Sequence, residues 1–284
     1  MRATAWIQRH RFAKGLMVKG VVITGLSLVS LTMARAAEPR NWLSAPKPTQ
    51  KPGLREKSAS SAGCPAPAIP DPLLGPRTKM PGRWIGRTKA PLNLPIVVMA
   101  GHADSQGTGS SGTPGFAVDK RRQPPMQAGI RDELFWNRQV QAAVVRQGRS
   151  RGLNIRSYTP PAITILDDEH PGTNWSKAKV WSARGEYILE IHFDAYRPHG
   201  FGSGLIPAIN RPLNSVDESL GSAFGRFPRN FRGGLGGPRR GIGILELAML
   251  EPPLEEKLRD QATRSQTVEC LAERVVDALV KGLS

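Results

Sequence analysis

Leu94-Pro95-Ile96-Val97-Val98-Met99-Ala100, with Gly101-His102 directly after it, is the stretch on which the reading of this chain turns. Seven residues without a charge, rich in β-branched side chains and closed by glycine, describe a strand covered on both faces. Working outward, a helix is expected from Asp132, whose side chain is placed to cap it, to about Gly148. Its apolar stripe is Trp136, Val140, Ala143 and Val144, and Glu133 falls on the same face. Asn154–Tyr158 and Ile163–Leu166 read as short strands and Trp175–Ala183 as a short helix. Tyr187–Phe193 alternates as a strand, with Ile188, Glu190 and His192 on one side. Residues 197–241 show no period apart from a helical turn at Ser215–Phe224. Ile242–Leu247 is another buried strand, followed by helices at Pro253–Thr263 and Ser265–Leu283, the latter lined by Val268, Leu271, Ala272, Val275 and Leu279. Strands alternating with helices predict an α/β layered domain, a mostly parallel or mixed central sheet flanked by helices.

The whole chain, 284 residues with 40 Lys+Arg against 23 Asp+Glu, carries a formal net charge of +17. Such a balance suggests a polyanionic partner until the charge is located. Residues 1–36 hold six basic residues and no acid, and 37–93 hold ten basic and three acidic ones. Residues 94–284 hold 24 basic and 20 acidic, nearly balanced. With 6% aromatics and no basic element interleaved with them, the folded part offers no nucleic-acid surface, and none is expected as a partner.

The N-terminal charge has an export reading. A basic stretch leads into Gly20–Met33, an uncharged and mostly apolar run too short to span a bilayer, and Ala34-Arg35-Ala36 supplies the small residues of a cleavage site. Residues 1–36 are therefore expected to be a secretory signal peptide, leaving no transmembrane anchor and an extracytoplasmic protein, in the periplasm or cell wall. Residues 37–93, with eleven prolines and clusters of Ser and Lys, read as a basic linker unable to fold alone. Residues 94–284 are the catalytic-domain candidate. In an oxidising compartment Cys64 and Cys270 either pair or remain two free thiols.

Four ionisable residues sit where apolar strands and stripes lead the eye to expect none: His102 after the first strand, Glu133 on the inner face of the helix, His192 within a strand, and Glu246 inside ILELAML. A buried carboxylate is costly unless paired or bound to a metal. Two imidazoles and one carboxylate make a recurring catalytic zinc set, and a free carboxylate nearby can take a proton from the activated water. Each residue also has a plainer reading: a turn, a hydrogen-bonded core histidine, a helix N-terminus, and a pair with a loop arginine.

The order of these motifs resembles a known family. Pro95–His102, Glu133 opening a helix, Glu186–Ala195 (EYILEIHFDA) and Ile244–Leu247 are similar to the zinc-dependent N-acetylmuramoyl-L-alanine amidases of the bacterial cell wall, the amidase_3 type. The resemblance covers most of residues 94–284. It implies Zn2+ held by His102, Glu133 and His192, with Glu246 as general base and then acid to the leaving amine. It implies peptidoglycan as substrate, cut between the lactyl group of N-acetylmuramic acid and L-alanine, with an activator protein unspecified.

The chain departs from that pattern at Ala103-Asp104 after the first histidine, at Glu190 in place of Ser, and at Asp194 in place of Asn. Glu190 is placed to orient the His192 ring or to alter metal or substrate preference, and Asp194 falls in the same motif. Arg156 or Lys179 stands for the family's arginine, while His170 and His199 lie in loops and are not expected at the site. Asp217 or Glu218, in the 212–225 segment, would reach an open metal position if that segment occludes the site. Two alternatives remain: a re-purposed or catalytically impaired wall-binding relative, and a zinc hydrolase acting on another N-acyl or peptide amide.

Overall fold

The structure, a computed structural model, describes residues 63–284. The signal-peptide reading of 1–36 and the first part of the linker lie outside the described residues.

Five strands form one mixed sheet: β1 (Ile96–Ala100), β2 (Ile155–Tyr158), β3 (Tyr187–Asp194), β4 (Gly204–Ile206) and β5 (Ile242–Met249), in the order β2-β1-β3-β5-β4. The first four in that order run parallel, and β4 pairs antiparallel with β5 at the edge. Every residue of β1 is buried, as its uninterrupted apolar sequence requires of a strand next to the centre. β3 is buried through its first seven residues, because helices and loops cover both of its faces.

Among the described residues, seven α-helices complete the domain: α1 (Phe116–Asp119), α2 (Asp132–Ser150), α3 (Asn174–Ala183), α4 (Ser215–Phe224), α5 (Gly236–Arg239), α6 (Leu254–Arg259) and α7 (Arg264–Leu283). The strand alternation sorts the sheet into two cores. Ile96, Val98, Leu189, Ile191, Leu245 and Leu247 face Trp136, Val140 and Val144 of α2 and Leu271, Val275 and Leu279 of α7. Val97, Met99, Ile188, Ile242 and Ile244 face the other way, onto Ala178 of α3, Phe227 and Phe231. Each fully buried side chain of this kind contributes about 1.5–3 kcal/mol, so the two faces together hold the register.

Several local expectations are corrected. Asp132 does not cap α2; Arg131 is the N-cap residue, and the Asp132 carboxylate, buried, accepts from Met126 N–H (2.8 Å) and pairs with Arg259. Ile163–Leu166 makes no strand, only a bridge between Thr164 and Ser105, and Ile163 and Leu166 face solvent. The helix expected at Pro253–Thr263 is one and a half turns, Leu254–Arg259, and Asp260 leaves it in an extended conformation. β4 was hidden by its three-residue length in a Gly/Pro-rich stretch.

Over 63–93 the structure departs from the spacer expectation. Cys64 is disulfide-bonded to Cys270 of α7, and Leu73 and Leu74 join the α2/α7 core. Asp71 accepts from Leu73 N–H (2.8 Å) and Leu74 N–H (3.1 Å) and faces Arg274. Farther on, Trp84 Nε1–H donates to the Phe227 carbonyl at 2.7 Å, and Gly86 N–H to Glu218 at 2.9 Å. A segment too poor in apolar residues to fold alone is thus laid down as a strap, its few anchors finding partners on a finished domain.

Candidate metal centre

The C-terminal ends of parallel strands are where an open α/β sheet leaves room for ligands. β1 ends at Ala100, and the chain turns so sharply at Gly101 that a Cβ there would lie 2.2–2.6 Å from three atoms of the His192 ring. His102 takes the left-handed conformation (φ 62°), an uncommon one for a residue with a side chain. What holds it is its ring: Nδ1 lies 2.6 Å from the Ser110 carbonyl, which accepts only, so Nδ1 carries the proton and Nε2 the lone pair. The 102–112 loop is closed on itself by Gln106 Nε2, which donates to the carbonyls of His102 (2.8 Å) and Ser111 (3.0 Å).

Glu133, the second residue of α2, is buried, with Oε1 3.1 Å from His102 Nε2 and 3.1 Å from His192 Nδ1. Its other oxygen accepts from Thr113 N–H at 2.7 Å, while its own N–H points at the Thr113 carbonyl (3.3 Å). His192 projects from β3 toward the same point, and its Nε2 lies 3.1 Å from Glu190 Oε2. The two imidazoles meet edge to face, centroids 4.8 Å apart at 84°.

One ligand atom from each of His102, Glu133 and His192 falls within 4.8 Å of the others, a group that could hold a metal ion. The donor set fits one. With Nδ1–H of His102 committed to Ser110, its Nε2 lone pair confronts a carboxylate oxygen. His192 faces carboxylates from both nitrogens and, when neutral, has a proton for one of them. A cation held at the convergence would turn these lone-pair contacts into bonds. Burial alone would raise the Glu133 carboxyl, yet the two imidazoles that face it hold it well below the ordinary range. Burial would lower His192, but Glu133 and Glu190 beside it push it well above the usual imidazole value.

Glu246 stands opposite His192 in the β3–β5 register, just before an irregularity that adds one residue to β5. Its Oε2 is buried and has no hydrogen-bond partner. Burial, with Asp194 and Glu133 nearby, pushes its carboxyl up to about 8 against the opposing pull of His192 and Arg232. All four residues line a cavity of about 530 Å³, together with Asp104, Trp175, Arg232 and Glu190 among others.

The other sequence expectations fall out as follows. Glu190 does touch the His192 ring. Asp194 lines the cavity, but its oxygens are taken by the N–H groups of Ala195 (2.8 Å), Phe201 and Gly202 (2.9 Å), so it fastens the turn after β3. Arg156 pairs with Glu186 at 2.5 Å and stacks on Trp181, and Lys179 lies near Glu169; neither lines the cavity. His170 and His199 are exposed and line none of it either. Neither candidate carboxylate of 212–225 lines the cavity: Asp217 is fully buried against Arg211 (2.7 Å) and the Tyr187 hydroxyl (2.9 Å), while Glu218 pairs with Arg226 and Gly86. Both carboxylates are spent on the fold.

Sequence reading missed Asn174, whose Nδ2 donates to Glu190 Oε1 (2.8 Å) and to the Ala100 carbonyl (2.9 Å). It saw Asp104 as a departure but not its partner, Asn174 N–H at 2.6 Å, and it missed Arg232, the one arginine of the cavity wall among the described residues. A signal for Asn174 existed in hindsight: a buried Glu190 demands donors.

No protein-family model matches this chain, and no curated protein matches it. Among solved structures, it is similar to an N-acetylmuramoyl-L-alanine amidase from Clostridium difficile 630, at 14% identity over 66% of this chain and 96% of that one, TM-score 0.42. It is also similar to the amidase Ami1 of Mycobacterium abscessus (18%, 65% and 98%, 0.40) and to the CwlD amidase of Clostridioides difficile, solved in complex with the GerS lipoprotein (13%, 66% and 95%, 0.42).

Proposed function

We propose that this chain is a zinc-dependent N-acetylmuramoyl-L-alanine amidase, hydrolysing the amide between the lactyl group of N-acetylmuramic acid and L-alanine in peptidoglycan outside the cytoplasm. The observation that carries the reading is the convergence of His102, Glu133 and His192 at the C-terminal end of the sheet, with Glu246 one strand over. The substrate is assigned from the order of the sequence motifs, and the location from the export signal read in residues 1–36.

His102 through Nε2, His192 through Nδ1 and Glu133 through Oε1 would hold the ion. Such an ion, when bound, supplies Lewis-acid polarisation of an acyl oxygen and a lowered pKa for water. The protein's own part is positional and acid–base. Glu246 presents an oxygen with no other partner, which in the ionised form would accept a proton from the attacking water and hand it to the departing amine. Gly101 and the 102–112 loop fix the first histidine, and Thr113 N–H fixes Glu133. The remaining wall, with Trp175, Ile244 and Arg232, is large enough for an acylated amino acid but not for a folded protein.

A second reading keeps the metal and changes the substrate to another N-acyl or peptide amide. It is favoured by the carboxylates Asp104 and Glu190, which stand in the wall where the family's pattern has small residues. One experiment separates the two: metal content of the purified protein together with release of soluble stem peptides from isolated sacculi. One zinc per chain, with release abolished by Glu246→Gln, supports the first reading. Zinc without release supports the second, and absence of zinc at micromolar supply overturns both.

A further inference from the structure

Glu190 occupies the middle of a sheet, with Met99 and Ile244 as its neighbours on the flanking strands. It is 4% exposed. An ionised carboxylate there costs several kcal/mol unless donors surround it. Two donors do: His192 Nε2 at 3.1 Å on Oε2, and Asn174 Nδ2 at 2.8 Å on Oε1. Asn174 is 1% exposed and is itself committed, for the same Nδ2 reaches the carbonyl of Ala100, two residues before His102. Its backbone N–H is taken by Asp104, two residues after His102. Neither contact is needed to start α3, whose N-cap is Thr173, accepting from Ser176 N–H.

We infer that Glu190 and Asn174 are positioning residues for the metal centre, a dyad that fixes the His192 ring and ties it to the His102 turn. Glu190 accepts the Nε2 proton of His192, which leaves Nδ1 unprotonated and aimed at the convergence with Glu133 and His102. Asn174 holds Glu190 in place and, through Ala100 and Asp104, brackets His102 from both sides. The ends of β1 and β3 are thereby registered to each other by one side chain of α3. A carboxylate on the far nitrogen also makes the ligand nitrogen more basic, so the dyad adds to affinity as well as to geometry. This rests on the metal reading of the centre.

The test is zinc affinity by chelator competition on the full chain, for wild type, Glu190→Gln, Glu190→Ala and Asn174→Ala, each checked for folding by circular dichroism. Loss of such a partner weakens metal binding roughly 10–100-fold, which is the change expected for Glu190→Ala. Glu190→Gln keeps an acceptor but no charge and should fall between it and wild type, and Asn174→Ala should weaken binding in the same direction. The second readout is the His192 Nε2–H resonance of the zinc-loaded protein, slow to exchange in wild type and fast in the Glu190 and Asn174 variants. A purely structural role would lower stability without moving that resonance. Zinc bound by wild type and by all folded variants within threefold, or unchanged exchange, overturns the dyad and leaves the metal centre standing. Failure of wild type to bind zinc overturns the metal reading itself and the dyad with it. Should Glu190→Ala not fold, Glu190→Gln and Asn174→Ala decide.

Discussion

Breaking the Cys64–Cys270 bridge should cost the domain several kcal/mol while sparing the metal centre. The two cysteines are 206 residues apart in sequence, so the disulfide closes nearly the whole described chain into one loop. Loop-closure entropy for that length gives a ceiling of about 5 kcal/mol at 25 °C. The strap retains other anchors when the bridge is cut: Leu73 and Leu74 in the core, Asp71 against Arg274, and Trp84 on the Phe227 carbonyl. The expected loss is therefore about 2–4 kcal/mol, or roughly 5–15 °C in melting temperature for a domain of this size. Cys64→Ser with Cys270→Ala removes the bridge and leaves an apolar side chain on α7, where Cys270 is 3% exposed. Urea unfolding of the variant, and of the wild type with and without reductant, measures the difference. Zinc affinity is expected to change less than threefold, because no residue of 63–93 lines the cavity. Identical midpoints for oxidised wild type, reduced wild type and variant would refute the account of the strap as a loop held from both ends.

Zinc at a hundredfold excess over its dissociation constant should stabilise the protein by about 2.7 kcal/mol, a thermal shift of roughly 5–10 °C that His102→Ala abolishes; a shift that survives His102→Ala would place the ion elsewhere. Gly101→Ala drives a methyl into the His192 ring and should weaken zinc binding at least about tenfold, with a stability loss of about 1–3 kcal/mol. Chelator competition and urea titration check both. Glu255, buried where it accepts from Ala117 N–H (2.9 Å), is pushed up to about 7, chiefly by burial. An acid raised in the fold stabilises it fully below its unfolded value near 4.5 and loses that contribution as pH climbs through 7. Glu255→Gln should accordingly gain on wild type by up to about 3 kcal/mol between pH 4.5 and pH 8, and parallel stability curves for the two proteins would contradict the assignment.

The fold was legible where burial is written in side chains. Ile96–Ala100 lies in the sheet interior with every residue buried, as its apolar side chains require, and the stripe Trp136, Val140, Ala143, Val144 packs on that sheet at helical spacing. It was illegible where structure is held by partners far away. The strap of 63–93 has no periodicity of its own and borrows Cys270, Arg274 and Phe227 as anchors. β4 is three residues long, and its register comes from β5. The Ile163–Leu166 stretch misled for the opposite reason: it looks like a strand, yet Ile163 and Leu166 are 42% and 84% exposed and it makes only the Thr164–Ser105 bridge.

The candidate site divides along the same line. Two histidines and two glutamates could be picked out because each is an ionisable group on an otherwise apolar element, a cost that folding does not meet without return. The groups that aim them could not, since the Ser110 carbonyl, the Thr113 N–H and the close approach of the His192 ring to the Gly101 backbone have no side-chain signature. The positions 102, 133 and 192 are too far apart in sequence to define a site locally, so their geometry belongs to the sheet. A slip of β3 by one residue against β1 would turn Glu190 and His192 onto the α2/α7 side and put Leu189 and Ile191 into the cavity. The apolar residues of β3 that penalise this slip alternate with the very residues that make the site. Register energy and metal geometry are therefore one constraint: the packing of Tyr187, Leu189, Ile191 and Phe193 under α2 and α7 is what points His192 at Glu133.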